Sequence, residues 1–172
     1  MADGVLCDPG CRVLGWPDIY AVGDVARWAH PRHGRQIRIE HWTNAVEQAE
    51  HVARTVLDPG APREYAPVEY VWTEQYGRKI QVTGRPGGVP VVVADGSGGR
   101  AGVLYGDDQD RLAGAVTVDW PRAMLAARSV LAEGGRVGAA YERWLGLAAT
   151  GRPLTGAKIN AYDHQGFEGS PS

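Results

Sequence analysis

The chain has 172 residues, of which 44% are hydrophobic and 22% charged, the usual proportions of a globular protein. The net charge is −2 and no basic stretch stands out, so the composition does not favour nucleic acid as a partner. No apolar run approaches the length of a membrane span, and the first residues lack the basic and apolar regions of a signal peptide. We therefore expect a cytoplasmic protein of one domain, or of one domain with a piece of another.

The first half of the chain has a strand pattern followed by a helix pattern. Residues 18–22 read as a buried strand that ends at Gly23 and Asp24, whereas residues 27–35 contain Pro, Gly and His and are predicted as a loop. Residues 42–57 are predicted as a helix that stops at a Pro-Gly pair. Its apolar face at three- and four-residue spacing consists of Ala45, Ala49, Val52, Ala53 and Val56.

The second half is predicted as an antiparallel sheet followed by two helices. Residues 58–67 hold three prolines and are predicted as a linker. Strand patterns follow at 68–72, 79–83, 89–94, 101–105 and 112–118, with turns at hairpin distances between them. A helix capped by Asp119 runs from Pro121 to about Glu133, and another spans about 137–149. Residues 151–172 are predicted as a surface tail.

The two cysteines, Cys7 and Cys11, raise the question of a metal or redox site. Zinc needs four ligands, and no second pair of Cys or His residues with suitable spacing follows. His30 and His33 are placed in the polar loop, and His41 lies apart from them. We therefore predict no metal site, and two small apolar side chains at the cysteine positions.

A glycine-rich loop that would hold a diphosphate is missing. Such a loop joins a strand to a helix, so that backbone amides reach the phosphates. The glycines at 84–88 lead into a strand pattern, and those at 96–99 separate two strand patterns. Neither segment opens a helix, so neither is a dinucleotide-binding fingerprint.

Three segments, residues 18–26, 38–49 and 70–84, together resemble the FAD-dependent ferredoxin reductases that serve oxygenases and cytochromes P450. Residues 112–116 and the Pro121 helix fit the end of that family as well. In the family, the first segment delivers an aspartate to the ribityl chain of the flavin, and this implies such a role for Asp24, with Gly23 allowing close approach. The third segment implies an aromatic residue near the flavin ring.

The resemblance covers about residues 3–135, and in the family it covers only the last third or so. It implies an α+β fold, with a remnant of the FAD-binding domain at 1–57, the linker at 58–67, a reductase C-terminal-like domain at 68–150 and the tail at 151–172. The FAD diphosphate loop and the NADH domain would be missing. We therefore expect this chain alone to bind FAD weakly or not at all.

The first functional hypothesis is a repurposed enzyme that needs no cofactor. Carboxylates beside tryptophans suit a reaction that passes through a cation, such as a Pictet–Spengler cyclisation of a small aromatic amine. Glu40 or Glu74 would be the general acid/base, with His41 as a second candidate. The substrate-binding wall would consist of Trp42, Trp72, Gln75 and Asp24.

Two other hypotheses stay open, together with structural interpretations of the same residues. The chain would be a component of an oxidoreductase whose FAD and NADH sites another chain completes, with Gly23 and Asp24 touching the flavin. Alternatively, it would be a non-catalytic binding protein or a homodimer, or a fragment of a longer reductase. The tryptophans would then be core residues, the glutamates solvated and Asp24 a turn cap.

Overall fold

The computed structural model describes residues 3–61, 63–87, 90–96, 99–149 and 158–159. The chain forms two compact units, Met1–Arg85 and Pro86–Ser172. Helices and antiparallel strands are both present, so the α+β prediction is confirmed. In the described part of the chain no helix is long and apolar enough to cross a membrane. The predicted boundaries at 57 and 67 stay predictions, and most of the predicted tail lies outside the described residues.

The first unit begins with a small mixed sheet. Strand β1 (Val5–Cys7) runs parallel to β2 (Ala26–His30), which pairs antiparallel with β3 (Arg35–Ile37). The predicted loop at 27–35 is therefore wrong for most of its length. In β2, alternate residues are buried, and this period of two marks a strand despite its polar composition.

The predicted strand at 18–22 is also wrong. Within this segment only Tyr20 takes part in sheet-like pairing, as an isolated bridge to Arg12. Ile19 and Val22 are 49% and 37% exposed, so the apolar run is not buried. The strand lies after Gly23 rather than before it, because the chain turns at 16–19 and forms a short 3-10 turn at Gly23–Val25.

Helix α1 (Trp42–Leu57) has the predicted bounds but not the predicted buried face. Ala49, Ala53 and Val56 of the predicted apolar face are exposed. The buried positions of α1 are polar: Asn44, Gln48 and Thr55. The predicted face is wrong because polar side chains on the other side of the helix find hydrogen-bond partners inside the unit.

A tight hairpin completes the first unit. Strands β4 (Tyr70–Gln75) and β5 (Arg78–Gly84) pair antiparallel through a two-residue turn. Tyr76 and Gly77 both have positive φ angles, 52° and 68°, the geometry of a type I′ turn, which suits the twist of paired strands.

The second unit is an antiparallel sheet with two helices. Strands β6 (Pro90–Gly96), β7 (Arg100–Gly106) and β8 (Leu112–Val118) pair in succession, and β9 (Lys158–Ile159) adds to β6. Helices α2 (Pro121–Ala132) and α3 (Val137–Ala149) follow the prediction closely. The N-cap of α2 is Trp120 rather than the predicted Asp119.

Trp144 of α3 is the centre of the packing in this second unit. Its ring is fully buried, lies 5.4 Å from the ring of Trp120 and donates a hydrogen bond to the carbonyl of Ala123 at 2.8 Å. A Cβ atom on Gly102 would come within 2.7 Å of the Trp144 ring. The glycine in β7 therefore lets helix α3 lie directly on the sheet.

We predict that Gly102→Ala lowers the free energy of unfolding by about 1–3 kcal/mol, because the new methyl group overlaps the Trp144 ring. Urea unfolding followed by tryptophan fluorescence measures this change. Gly138→Ala is the matched control, since Gly138 is helical and nothing lies within 4 Å of a Cβ there; it should raise stability by about 0.5–1 kcal/mol. Equal effects of the two substitutions would contradict this account of the packing.

Candidate functional site

Two of the predicted substrate-binding residues, Trp42 and Trp72, lie together. Trp42 begins α1 and Trp72 is the third residue of β4, and with Thr43 and Val71 they line a cleft of about 260 Å³. The Thr43 hydroxyl donates to the backbone carbonyl of Tyr70, which ties the start of the helix to the strand. The structure thus places two aromatic rings on one surface cleft.

The cleft is exposed and has a cation beside one ring. Trp42 is 80% exposed and Trp72 is 48% exposed. The ammonium group of Lys79 lies 4.7 Å from the centre of the Trp72 ring, a cation–π contact. The ammonium group next to the Trp72 ring would repel a second cation there, whereas a flat, electron-poor ring could still stack on an exposed tryptophan face.

The predicted acid/base residues are not in the lining of this cleft. Glu40 pairs with Arg38 at 2.7 Å, and its side chain is 58% exposed. Glu74 and Gln75 are exposed on β4, where Glu74 lies opposite Lys79. His41 is the N-cap residue of α1, and its Nδ1 atom is buried with no hydrogen-bond partner among the described residues. Their catalytic roles stay predictions.

The turn that carries the predicted flavin ligands is held against α1. The amide of Gly23 donates to Oε1 of Gln48 at 2.8 Å. Gly23 has a φ of +73°, and a Cβ there would lie 3.3 Å from Cβ of Ala45, so glycine suits this turn. Asp24 next to it is exposed, and its carbonyl accepts a hydrogen bond from Arg38 at 3.1 Å.

Gln48 is a positioning residue that the sequence analysis missed. It is fully buried, and its amide nitrogen donates to the sulfur of Cys11 at 3.1 Å. The signal for it was present: Asn44, Gln48 and Thr55 follow one another at steps of four and seven residues, which places these polar side chains on one face of the helix.

Both cysteines are buried, free thiols. Burial raises the pKa of Cys11 to about 12, so its sulfur stays protonated at neutral pH. This fits the prediction of two small apolar side chains rather than a reactive pair.

A buried charged cluster joins three distant parts of the first unit. His30, His33 and Glu69 bring their ligand-type atoms within 4.8 Å of one another. His33 Nε2 lies 2.7 Å from Oε1 of Glu69, and the same oxygen accepts from Arg85 Nε at 3.0 Å. The side chain of Glu69 is only 3% exposed.

The partners of these groups indicate an ion-pair network. His30 accepts at Nδ1 from the amide of Arg32, so its Nε2 carries the proton and faces the carbonyl of Pro67, both at 3.2 Å. Both ring nitrogens of His30 are therefore engaged, and the Arg85 guanidinium lies where a metal cation would be repelled. The predicted absence of a metal stays a prediction.

Burial and neighbouring groups shift the pKa values of Glu69 and His30 in this cluster. Burial by itself raises the pKa of Glu69, but the hydrogen bonds from His33 and Arg85 outweigh it and hold the pKa at about 2. Burial, together with the nearby His33, lowers the pKa of His30 to about 4. At neutral pH the cluster thus contains an ionised Glu69 and an uncharged His30.

Part of the chain matches a known protein family. Residues 70–142 match the family described as Reductase C-terminal. The match begins at β4 and ends in α3, so Trp72 lies inside it, and Trp42 and the Gly23 turn lie before it. The resemblance to the C-terminal part of FAD-dependent ferredoxin reductases is thereby confirmed.

Individual reductases match the chain over a longer range than residues 70–142. The chain is 31% identical, over 78% of its length, to the ferredoxin-NAD(+) reductase component of the 3-phenylpropionate/cinnamic acid dioxygenase of Photorhabdus laumondii, 33% of which is covered. It is 34% identical, over 76% of its length, to rhodocoxin reductase of Rhodococcus erythropolis, 30% of which is covered.

A solved reductase has the same fold over most of the chain. The ferredoxin reductase for the CYP199A2 system from Rhodopseudomonas palustris superposes with a TM-score of 0.71 and 27% identity, over 80% of this chain and 33% of that one. The chain therefore spans about a third of the length of the reductases it matches.

We predict that the first unit becomes unstable in acid. Unfolded His30 takes up a proton below about pH 6.5, but folded His30 only below about 4, so stability is lost as the pH falls between these values. Folded Glu69, with its pKa of about 2 against an ordinary 4.5, contributes stability that is present above 4.5 and lost between 4.5 and 2. Melting temperatures from pH 8 to 3 measure both effects.

Glu69→Gln separates the contribution of the carboxylate. It should lower the free energy of unfolding at pH 7 by about 1–3 kcal/mol, because His33 and Arg85 lose the charge that accepts their hydrogen bonds, and it should flatten the profile below pH 4.5. Glu74→Gln removes an exposed carboxylate and serves as the control with an unchanged profile. If Glu69→Gln and the unsubstituted protein share one acid profile, the assignment to Glu69 is wrong.

Proposed function

We propose that this chain is the C-terminal part of an FAD- and NADH-dependent oxidoreductase that serves a ferredoxin, and that polypeptide outside these residues supplies the dinucleotide sites. The single observation that carries the proposal is the pairing of Trp42 and Trp72 beside the start of the reductase C-terminal region. The names of the matched relatives support it, since they are reductases and one is the ferredoxin-NAD(+) reductase component of a dioxygenase.

The residues present fit part of a flavin and not all of it. A cleft of about 260 Å³ between two tryptophans suits one flat ring system, but it is smaller than the sites that enclose whole cofactors. The exposed Asp24, on the turn held by Gln48, offers a carboxylate to a hydroxyl group. In the described part of the chain, strands β6 and β7 rather than helices follow the two glycine-rich segments, which favours a diphosphate site outside these residues.

In this role the chain would orient a ring and shield one side of it. Trp72 would pack against the ring, and Lys79 beside it would stabilise electron density on that ring. FAD, when bound, would supply the chemistry of hydride acceptance and one-electron transfer.

The cyclisation hypothesis has less support. It needs a carboxylate in a partly dry pocket next to the tryptophans. Glu40 is more than half exposed and paired with Arg38, and Glu74 is exposed on β4. The relatives named above are reductases or reductase components, so we place the oxidoreductase component first.

Quenching of tryptophan fluorescence by riboflavin and by FAD tests the proposal. Because the chain offers a wall for the ring and nothing for the diphosphate, we expect both compounds to bind weakly and about equally. Trp72→Ala should weaken binding by up to about tenfold, the value of one aromatic stacking contact. Tyr76→Ala is the control, since Tyr76 is fully exposed and lies outside the cleft lining.

Two results would contradict the proposal. FAD binding that is far tighter than riboflavin binding, with NADH oxidation by the chain alone, would show that the dinucleotide sites are already present. The second result is formation of a cyclic product from an aromatic amine and an aldehyde by the chain, with loss of that activity in Glu40→Gln or Glu74→Gln. That outcome would favour the cyclase.

A further inference from the structure

Helix α1 carries an exposed apolar stripe along its whole length. Trp42, Val46 and Val56 are 80%, 49% and 57% exposed, and two exposed alanines lie between them. The stripe consists of Trp42, Val46, Ala49, Ala53 and Val56. Leu57, which is 85% exposed, adjoins its end. A helix whose apolar side faces water has a face that another protein surface can cover.

The spacing of the stripe suits packing against a second helix. Its members follow one another at steps of four, three, four and three residues. That average of 3.5 residues keeps a seam straight along a neighbouring helix, as in coiled coils. The small side chains of Ala49 and Ala53 at the middle of the stripe permit the two backbones to approach closely.

The side-chain sizes along the stripe are self-complementary when a second copy of the helix runs in the opposite direction. A large ring at position 42 would meet Val56 and Leu57 of a second copy, Val46 would meet Ala53, and Ala49 would lie next to its own counterpart. In the parallel direction, Trp42 would meet Trp42 and spread the helices apart at one end. We propose that α1 is a self-association surface, on which two copies of the chain pair antiparallel about a twofold axis near Ala49.

The charges beside the stripe permit this pairing. Glu50, next to the axis, would approach its own counterpart, but each Glu50 is already paired with Arg54 one turn along the same helix. Glu47 is on the other side of the helix from the axis. Antiparallel pairing also sets the helix dipoles in opposite directions, which is favourable.

The available area sets the strength of the pairing. The stripe and Leu57 expose roughly 500–600 Å² per copy, so a dimer would bury roughly 1,000–1,200 Å² in all, the lower limit for a specific interface. We therefore expect a reversible dimer with a dissociation constant in the micromolar range. The pairing is measured without flavin or ferredoxin, so its outcome can be told apart from that of the flavin-binding test, although Trp42 belongs to both the cleft and the stripe.

Sedimentation of the full chain from about 1 to 200 μM measures the dimer. Trp42→Ser should raise the dissociation constant at least about tenfold, because exposed tryptophans that become buried dominate such interfaces. Trp16→Ser is a matched control: Trp16 is 62% exposed in the same unit but lies off the stripe, and its loss should leave the dimer intact.

Single cysteines test the direction of pairing. Ala49→Cys should form a disulfide between copies on oxidation, since the twofold axis brings residue 49 next to itself. Ala53→Cys, which is also exposed on the same stripe, should not, because its counterpart lies about 12 Å away along the helix. The natural Cys7 and Cys11 are fully buried and should not interfere.

Three outcomes would overturn the proposal. A chain that stays monomeric at 200 μM has no self-association surface, and its stripe would then be covered by a different protein, such as the polypeptide that carries the dinucleotide sites. Equal weakening by Trp42→Ser and Trp16→Ser would place the interface elsewhere. A disulfide that forms at residue 53 in preference to residue 49 would rule out the antiparallel pairing.

Discussion

The first unit depends on the hydrogen bonds of one buried side chain, Gln48. Its oxygen accepts from the amide of Gly23 and its nitrogen donates to Cys11, at 2.8 and 3.1 Å. A buried amide with only one of these partners would be costly, so both have to form together. They tie the helix to two separate turns of the chain, and they decide which side of the helix faces inward.

The other features of that unit follow from the orientation of α1. With Gln48 inside, Val46 and Ala53 point outward, because residues turn by about 100° each along a helix. The same orientation sets Trp42 at the start of the helix beside Trp72. The aromatic cleft and the apolar stripe therefore share one residue and one cause, although the cleft is proposed to face a flavin and the stripe a second copy of the chain.

The buried ion-pair network also ties distant parts of the first unit together, through charged side chains. Glu69 precedes β4 and is bonded to His33 after β2 and to Arg85 after β5. It thus joins the small sheet to the hairpin that opens the reductase C-terminal region. A network of this kind fixes geometry more than it adds stability, because the desolvation of its charges offsets much of their attraction.

The local pattern of the sequence was enough to determine the α+β class, the bounds of α1, α3 and β8, and the resemblance to ferredoxin reductases. The bounds depend on residue spacing and turn residues close together in the chain, and the resemblance depends on the residues of segments 18–26, 38–49 and 70–84. Tertiary structure alone decided which face of α1 is buried and that Glu69 meets His33. Those outcomes depend on partners 25 to 37 residues apart, and a local pattern carries no information about which distant groups will satisfy a buried polar side chain.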